Sequence, residues 1–553
     1  MAAERAAQAV RAVASRAAWY RRELRALAGQ SSFSRDAEGV DKHGDDVVRL
    51  FAGGGAGSED VPDHSGGWHS YRPRSVADEA YGRHVMLFRP PLEAPAPGEM
   101  APAVALVSHL DTVYPSGVLK EHGHSFGNVP GAPGWIRGPG VMDCKGGTLA
   151  ARAALDVLRE CHPDAYRRCA VHVWLNAAEE PLCWDFAPQC ARWLAACGGR
   201  AAGHPLHASA GGSEAMAAAS ARLAECEARC VAEGAEACPA VAEACPHDLR
   251  ACFVLEAGVT RLGHADGSVL PWASPAFDGL PGAGAAAADV SQRGLGDGPG
   301  VLVVSSRQGM LVWRVRLEGR AAHSGNAHAS GRSAVLAAAR VIVAAEAANQ
   351  PGCGFTINVG RVEGGTTHNT VPASAELELE MRAAGGEAFG RGELAVAAAV
   401  RSVDAGASLP GDAGGAAPGS APAAGPSGVV ATACAEAVAW RQDGVSATVE
   451  ERVRAGPWDE TEDAARVVSV VEGVAAALGM GAARQRRGGL SDGNNLWTLA
   501  PTVDGMGPHG DGAHRAEERA DACAERLFWP SLAGRAAFLA ECVARVASGA
   551  GRS

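Results

Sequence analysis

Lysine is nearly missing from this 553-residue chain: it occurs only at Lys42, Lys120 and Lys145, and Arg supplies the other 47 of 50 basic residues. Asparagine is almost as scarce, with eight positions. A chain that has drifted toward Ala, Gly and Arg keeps a rare residue type where something resists replacement, so each Lys and Asn is worth locating. No apolar run approaches the roughly 20 residues of a membrane-spanning helix. The opening stretch MAAERAAQAVRAVASRAAWYRRELRAL carries charge throughout and lacks the apolar segment of a secretory signal. Basic charge is in deficit overall, and a net charge of -12 leaves no basic face for a nucleic-acid backbone. Neither a membrane nor a nucleic acid is an expected partner.

Fifteen cysteines without a secretory signal read as reduced cytosolic thiols. A cytoplasmic location is therefore expected. An organellar transit peptide is the alternative, because the first residues are rich in Arg and poor in acid, but an amphipathic first helix is the preferred reading. Two series at seven-residue spacing (Cys183, Cys190, Cys197 and Cys238, Cys245, Cys252) fall near one helical face each. They read as small buried apolar residues, with a disulfide or two as the lesser alternative and no CxxC pairing of a zinc site.

At 47% hydrophobic and 20% charged residues the chain is globular, and its length suits two or three domains. Three short runs, AVALVSHLD, CAVHVWLNAAEE and RACFVLEAG, each read as a strand ending in a His, Glu or Asp. A helical pattern, GGTLAARAALDVLRE, separates the first two. This spacing predicts an α/β fold, a mostly parallel sheet flanked by helices whose polar strand ends converge at the carboxyl edge. From about Gln308 the order becomes strand, helix, strand, strand, helix, strand, which predicts an inserted smaller α+β domain. The expected boundaries are 1–307 with 456–553 for the first domain and 308–455 for the second, with a flexible Ala/Gly/Pro/Ser loop at about 406–428. The stretches at about 201–250 and 265–300 read as excursions outside the core.

His-x-Asp occurs five times, beginning at His43, His109, His162, His264 and His509, but only His109-Leu-Asp111 ends a buried strand, and the others fall in Gly, Pro or Ala contexts that read as loops. A metal-bound imidazole usually donates its other N–H to a carboxylate that fixes its orientation, which suits that pair. GPGVMDCKGG sets Asp143 and Lys145 in a glycine-bounded turn before a helix. Glu179-Glu180 follows the second strand and Glu256 ends the third. Together these form an oxygen-and-imidazole set suited to zinc, manganese or cobalt. A second histidine completes it, with His514 the candidate and His509 its rival.

The ordered set SHLDTV, GPGVMDCKGG, AAEEP, LEAG, GRAAHSGN, HNTVPASAELELEMR and SDGN…DGMGPHGDGAH resembles the two-zinc aminoacylase/carboxypeptidase family, from roughly Leu27 into the last hundred residues. That family includes glutamate carboxypeptidase, aminoacylase, acetylornithine deacetylase and succinyl-diaminopimelate desuccinylase; GRAAHSGNA and NTVPASAELELEMR look closest to the glutamate carboxypeptidase branch. The resemblance implies two Zn2+ per subunit, with Co2+ or Mn2+ possible. Asp143 would bridge them, His109 and Glu256 would hold one, and Glu180 and His514 the other. It further implies that Asp111 orients His109, that Glu179 is the general base, and that His323 steadies the oxyanion, often across a dimer. Asn369 and Arg382 would bind the substrate's free carboxylate, and the inserted domain would serve as a lid and form a homodimer. The implied activity is hydrolysis of the amide bond of peptides or N-acyl amino acids with a free carboxylate, glutamate carboxypeptidase-like. An aminoacylase- or deacetylase-like hydrolase is the alternative, and a catalytically silent scaffold is a further one that would be marked by a missing ligand or base. Two departures stand out: Pro181-Leu182-Cys183-Trp184 replaces the family's glycine-containing turn, and Cys144 follows the bridging Asp.

Overall fold

The structure is a computed structural model that describes residues 2–52, 67–115, 126–201, 214–241, 244–258, 260–261, 268–277, 298–401, 438–442, 444–513 and 525–550. The chain divides into two compact units. One comprises Met1–Ser306, Asp459–Arg487 and Ser491–Ser553, and the other Arg307–Trp458 with Gly488–Leu490.

In the first unit, the run Ala101–His109 is buried along nearly its whole length, as expected of a strand covered on both faces. The sheet runs in the order His69–Tyr71, Val85–Arg89, Ala170–Asn176, Ala101–His109, His247–Val254, Thr502–Val503, and Gly199–Ala201 also pairs with His247–Val254. Pairing is parallel from Ala170–Asn176 onward and antiparallel at the His69 edge. The mostly parallel α/β sheet expected from the sequence is thus present. Alternate strand residues divide between two cores. Val104, Leu106, Val171, Val173 and Phe253 share one with the helices Lys145–Cys161 and Ser531–Ala547, whereas Ala105, Val107, Trp174 and Cys252 pack with the helix Phe186–Ala196. The first two helices, Ala2–Ser15 and Ala17–Gly29, bury Val10, Val13, Trp19, Tyr20 and Leu24 in the former core.

Register sets the level of the strand ends. His109 lies opposite Asn176, and Val107 opposite Val254. Leu255 N–H still donates to Val107 O (2.8 Å), so Glu256 is the next residue to leave the sheet.

The second unit is an antiparallel sheet in the order Phe355–Gly364, Ser374–Ala383, Gly309–Glu318, Val445–Ala455, Val438–Gln442. Ser374–Ala383 alternates strictly, burying Ala375, Leu377, Leu379 and Met381 in one core with the helices Ala334–Ala347 and Gly386–Arg401. Charged side chains fill intervening positions, including the pairs Arg314–Glu378 and Arg316–Glu376. Ser333 caps the first of these helices through its Oγ, which accepts the Leu336 N–H.

The structure departs from the sequence reading in three places. His43, read as a loop residue, is buried within the helix Ala37–Ala52, whose apolar face also holds Val40, Val47 and Phe51. Leu270, Trp272 and Ala273, within the expected excursion 265–300, belong to the main core, where Trp272 Nε1–H donates to Leu478 O (2.8 Å). The stretch 201–250 includes the helix Glu214–Ala232 and the start of the strand His247–Val254. Every described cysteine is a free thiol, and Cys183, Cys190, Cys197 and Cys252 are core residues of the second cluster. The loop at about 406–428 lies outside the described residues.

Candidate metal centre and active site

His109 ends its strand fully buried, and its two ring nitrogens face different partners. Nδ1 lies 3.0 Å from the main-chain oxygen of Asp111 and 3.4 Å from its Oδ1. Nε2 lies 2.9 Å from Asp143 Oδ1 and 3.6 Å from Glu256 Oε1. A proton on Nδ1, donated to the Asp111 carbonyl, leaves the Nε2 lone pair aimed at two carboxylates. The ligand atoms of His109, Cys144 and Glu256 all lie within 4.8 Å of one another, a grouping that suits a cation. Ligand atoms about 2.0–2.1 Å from a shared tetrahedral ion stand roughly 3.3 Å apart, and the two observed separations bracket that value. His109 and Glu256 therefore fit a metal ion by donor type and spacing, and Asp143 stands 2.9 Å from the same nitrogen.

The Asp143 turn is held from below by one side chain that sequence reasoning did not single out. Glu525, buried, accepts the N–H groups of Gly140 (2.9 Å), Met142 (2.7 Å) and Asp143 (2.8 Å). Burial and the neighbouring Asp143 push its carboxyl up to about 7, against the pull of those N–H groups. The Asp143–Cys144 peptide bond is cis. Cys144 Sγ–H donates to Leu255 O (3.1 Å), and burial, followed by the charge of Glu256, pushes the thiol up to about 12. The glycines of Lys145-Gly146-Gly147 have a packing reason. A Cβ at Gly147 would come within 2.2 Å of Leu255 O, so only glycine lets this helix start against the strand end that presents Glu256. Lys145 is buried and donates from Nζ to Leu27 O and Gln30 O (both 2.9 Å), tying down the end of the helix Ala17–Gly29. Burial lowers its pKa to about 7. Lys42 is exposed, and Lys120 lies outside the described residues.

The segment after Asn176 has neither helix nor strand partners for its amides, yet four consecutive N–H groups are satisfied by side chains. Ala177 N–H donates to His84 Nδ1 (3.1 Å) and Ala178 N–H to Asn176 Oδ1 (3.0 Å). Glu179 N–H donates to Asp111 Oδ1 (3.0 Å) and Glu180 N–H to Asp111 Oδ2 (3.2 Å). Pro181 has no N–H to satisfy, and Leu182 closes the turn on Glu179 O (2.7 Å) with a left-handed φ of 62°. Glu179 is 9% exposed, and burial plus the charge of Glu256 holds its carboxyl well above the usual carboxylate range. Asn176 also donates from Nδ2 to Asp492 Oδ1 (2.7 Å), and burial raises Asp492 to about 7.

A second buried group, His84, Cys183 and Asp185, has ligand-like spacing. It does not suit a cation. Because His84 Nδ1 accepts the Ala177 N–H, the ring proton resides on Nε2, which faces Asp185 Oδ2 at 3.5 Å and has no lone pair to offer.

His514 lies outside the described residues. His509, its rival, is buried with its ring against Trp135 (5.5 Å) and Phe528 (6.4 Å). In the second unit, His323 is exposed and pairs in register with Thr370, while Ser324 N–H donates to Asn369 O (3.0 Å), so His323 and Asn369 are neighbours. Arg382 lies eight residues along the strand from Ser374, a span of roughly 26 Å at the usual strand rise. Its guanidinium donates to Glu380 Oε1 (2.6 Å) and Gly488 O (2.9 Å).

Asn176 belongs to the scarce residue type that the composition flagged, and that scarcity was the available signal. Glu525 stands in an acid- and Arg-rich segment and carried none.

Comparison with known proteins adds three findings. The family described as the peptidase dimerisation domain matches residues 305–406. A Haemophilus influenzae homolog of one subunit of p-aminobenzoyl-glutamate hydrolase is 44% identical over 69 residues, which are 12% of this chain and 16% of that protein, so the match spans about a sixth of that relative. Among solved structures, aminopeptidase PepT from Bacillus cereus is similar with a TM-score of 0.55 at 15% identity, covering 97% of this chain and 99% of that one. The di-peptidase Dug1p from Saccharomyces cerevisiae is similar with a TM-score of 0.54 at 9% identity, covering 99% of both chains. At these identities the structural likeness shows a shared fold.

Proposed function

From the match to the peptidase dimerisation domain and the resemblance of its motifs to the two-zinc aminoacylase/carboxypeptidase family, we propose that the chain is a metal-dependent hydrolase of the glutamate carboxypeptidase type. It would cleave the amide bond of peptides or N-acyl amino acids that carry a free carboxylate. The observation that carries this reading is that His109 Nε2 faces both the Asp143 and the Glu256 carboxylates, while buried Glu179 has its carboxyl held well above the usual range by burial and by Glu256. The name of the Haemophilus influenzae relative adds support, since it describes hydrolysis of p-aminobenzoyl-glutamate, an amide of a dicarboxylic amino acid.

In this reading His109 and Glu256 would hold one Zn2+, Glu180 and His514 would hold a second, and Asp143 would be shared by the two. The bound ions supply Lewis acidity toward the attacking water and the amide carbonyl. Glu179 accepts the proton of that water on its carboxylate and passes it to the leaving nitrogen. Asp111 fixes both ends of this arrangement, through its main-chain oxygen to His109 and its carboxylate to the Glu179 and Glu180 amides. His323 steadies the oxyanion.

The working form is a homodimer through the inserted domain. Val335, Leu336 and Val343 on the helix Ala334–Ala347 and Val362 on the edge strand Phe355–Gly364 are exposed large apolar side chains, consistent with a covered surface in solution. Asn369 and Arg382 would bind the free carboxylate of the substrate, and His323 would act across the dimer. No helix among the described residues is long and apolar enough to cross a membrane.

The test is amino-acid release by zinc-reconstituted protein from matched N-acyl amino acids, dipeptides and p-aminobenzoyl-glutamate, with Glu179→Gln as the blank. Release above that blank is expected, greatest for acyl-glutamate amides. Preference for short N-acyl groups would favour the deacylase alternative, and no release with metal bound would favour the silent scaffold.

A further inference from the structure

The strand end at Asn176 and the turn Ser491–Asn494 are 316 residues apart in sequence, yet they meet in a single buried hydrogen bond, Asn176 Nδ2–H to Asp492 Oδ1 at 2.7 Å. Both side chains are 0% exposed. The Asn176 carboxamide is used at both ends. Its Oδ1 accepts the Ala178 N–H (3.0 Å) and the Cys183 S–H (3.0 Å), which are the two flanks of the turn that carries Glu179. Asp492 is fixed in its own turn. Ser491 N–H donates to Asn494 Oδ1 (3.2 Å), Ser491 Oγ–H to Asp504 Oδ2 (2.8 Å), and Gly493 N–H to Ser491 Oγ (3.1 Å). Asp492 Oδ2 is buried with no hydrogen-bond partner among the described residues.

That second oxygen makes the arrangement unusual. A carboxylate whose only purpose was to hold the Asn176 amide could be a neutral acceptor, and burying it half satisfied is costly. The retained acid faces the charges of Asp111 and Asp504 and the imidazole of His109, and it contributes to the electrostatic environment of Glu179. Asp111 holds the Glu179 and Glu180 amides and Asn176 holds Ala178 and Cys183, and the second grip is tied through Asp492 to a turn 316 residues away.

Resting on the reading of Glu179 as general base, we infer that the Asn176–Asp492 pair is a positioning element that sets where the Glu179 carboxylate stands. Neither residue touches the substrate. Asn176 acts through the turn, and Asp492 acts through Asn176. The motif Ser491-Asp492-Gly493-Asn494 then has a defined task, which is to present one acceptor to the end of a strand.

The experiment compares kcat, KM, bound metal and thermal midpoint for four variants of the full chain, using the best substrate from the amide panel. Asn176→Asp replaces the donor with a second carboxylate. Asn176→Ser can still accept the Ala178 N–H but cannot reach Asp492. The exchange Asn176→Asp with Asp492→Asn restores a donor–acceptor pair with its polarity reversed. Glu179→Gln reports on the base itself. Displacing a general base by about an ångström costs on the order of a hundredfold in rate. Asn176→Asp and Asn176→Ser are therefore expected to lower kcat at least about tenfold, with KM and metal content near wild type, and the exchange is expected to recover most of that loss. A kcat within about twofold of wild type in Asn176→Ser, or an exchanged pair that folds and binds metal without recovery, would overturn the positioning role. If Asn176→Asp fails to fold, the Asn176→Ser result and the exchange decide. A Glu179→Gln protein as active as wild type would remove the general-base reading and this inference with it. A dead Glu179→Gln beside an unaffected Asn176→Ser removes this inference alone.

Discussion

Asp111 accepts the main-chain N–H of Glu179 on Oδ1 at 3.0 Å, and the same carboxylate takes the N–H of Glu180 on Oδ2 at 3.2 Å. Ser34 Oγ–H donates to Oδ2 as well (2.7 Å). A residue expected from its His-x-Asp spacing to serve an imidazole thus spends its carboxylate on the next strand's turn, while its main-chain oxygen lies closest to His109.

Asp111→Asn tests that arrangement. The amide is isosteric but offers only one acceptor, so an N–H of Glu179 or Glu180 meets another donor inside the protein. A buried donor left unsatisfied costs about 1–3 kcal/mol. The variant is expected to unfold at lower denaturant by that amount with an unchanged m-value, and to lose most of its activity while retaining metal. Full stability in Asp111→Asn would mean that the turn is held by its other contacts.

Metal removal gives the second prediction. Asp143, Glu179 and Glu256 crowd the buried His109, and burial together with Glu256 already drives Glu179 toward its neutral form. An ion that binds the folded state alone at a hundred times its dissociation constant adds about 2.7 kcal/mol. Chelation is expected to lower the thermal midpoint and zinc to restore it. In His109→Ala, chelator and zinc should produce a much smaller shift in either direction.

What the sequence made legible follows from what repeats. Ala101–His109, Ala170–Asn176 and His247–Val254 are continuous apolar runs because both faces of a parallel sheet are covered, so they stood out, as did the polar residues just beyond them. Ser374–Ala383 was legible through strict alternation. His43 was not, because a Gly follows it and the apolar stripe of its helix is interrupted by Asp and Lys. Trp272 was hidden by the Gly- and Ala-rich stretch that follows it. The roles of Glu525 and of Asp492, the latter inside the SDGN motif, were illegible for another reason: they act by accepting hydrogen bonds from groups hundreds of residues away, and no local pattern encodes such pairings.

Leu182 sits at the departure from the family's glycine-containing turn. Its φ of 62° is a conformation that costs a non-glycine residue roughly 1–2 kcal/mol. Glycine removes that strain and returns part of the gain as unfolded-state entropy, about 0.5–1 kcal/mol. Leu182→Gly is expected to raise the thermal midpoint slightly and to leave the metal content unchanged. A clear drop would show that the half-buried Leu182 side chain contributes more by packing than the backbone loses by strain.

The buried pair His172 and His247 should set an acid limit on stability. Their Nε2 atoms are 2.8 Å apart, and His247 Nδ1 lies 2.8 Å from Cys245 O. A proton on His247 Nδ1 makes its Nε2 the acceptor, and His172 Nε2 supplies the shared hydrogen, so both rings are neutral. Phe88 packs on both, with ring centroids 4.8 Å and 5.1 Å away, and Trp174 lies beside His172. Burial lowers the pKa of each ring, and the His247 charge lowers His172 further, whereas Asp248 raises His247 in part. Folded pKa values below the unfolded value of about 6.5 mean that the unfolded chain binds more protons in this range. The stability from keeping these rings neutral is then fully present above about pH 6.5 and is lost as pH falls toward the folded values, by up to about 1.4 kcal/mol per pH unit for each ring. In His172→Gln the side-chain amide can still donate to His247 Nε2 but cannot titrate. Denaturant unfolding of wild type and variant between about pH 5 and about pH 7.5 should give a shallower pH dependence for the variant, and taking the difference cancels the contribution of the metal-site carboxylates. Parallel curves would show that His172 is not a source of acid sensitivity.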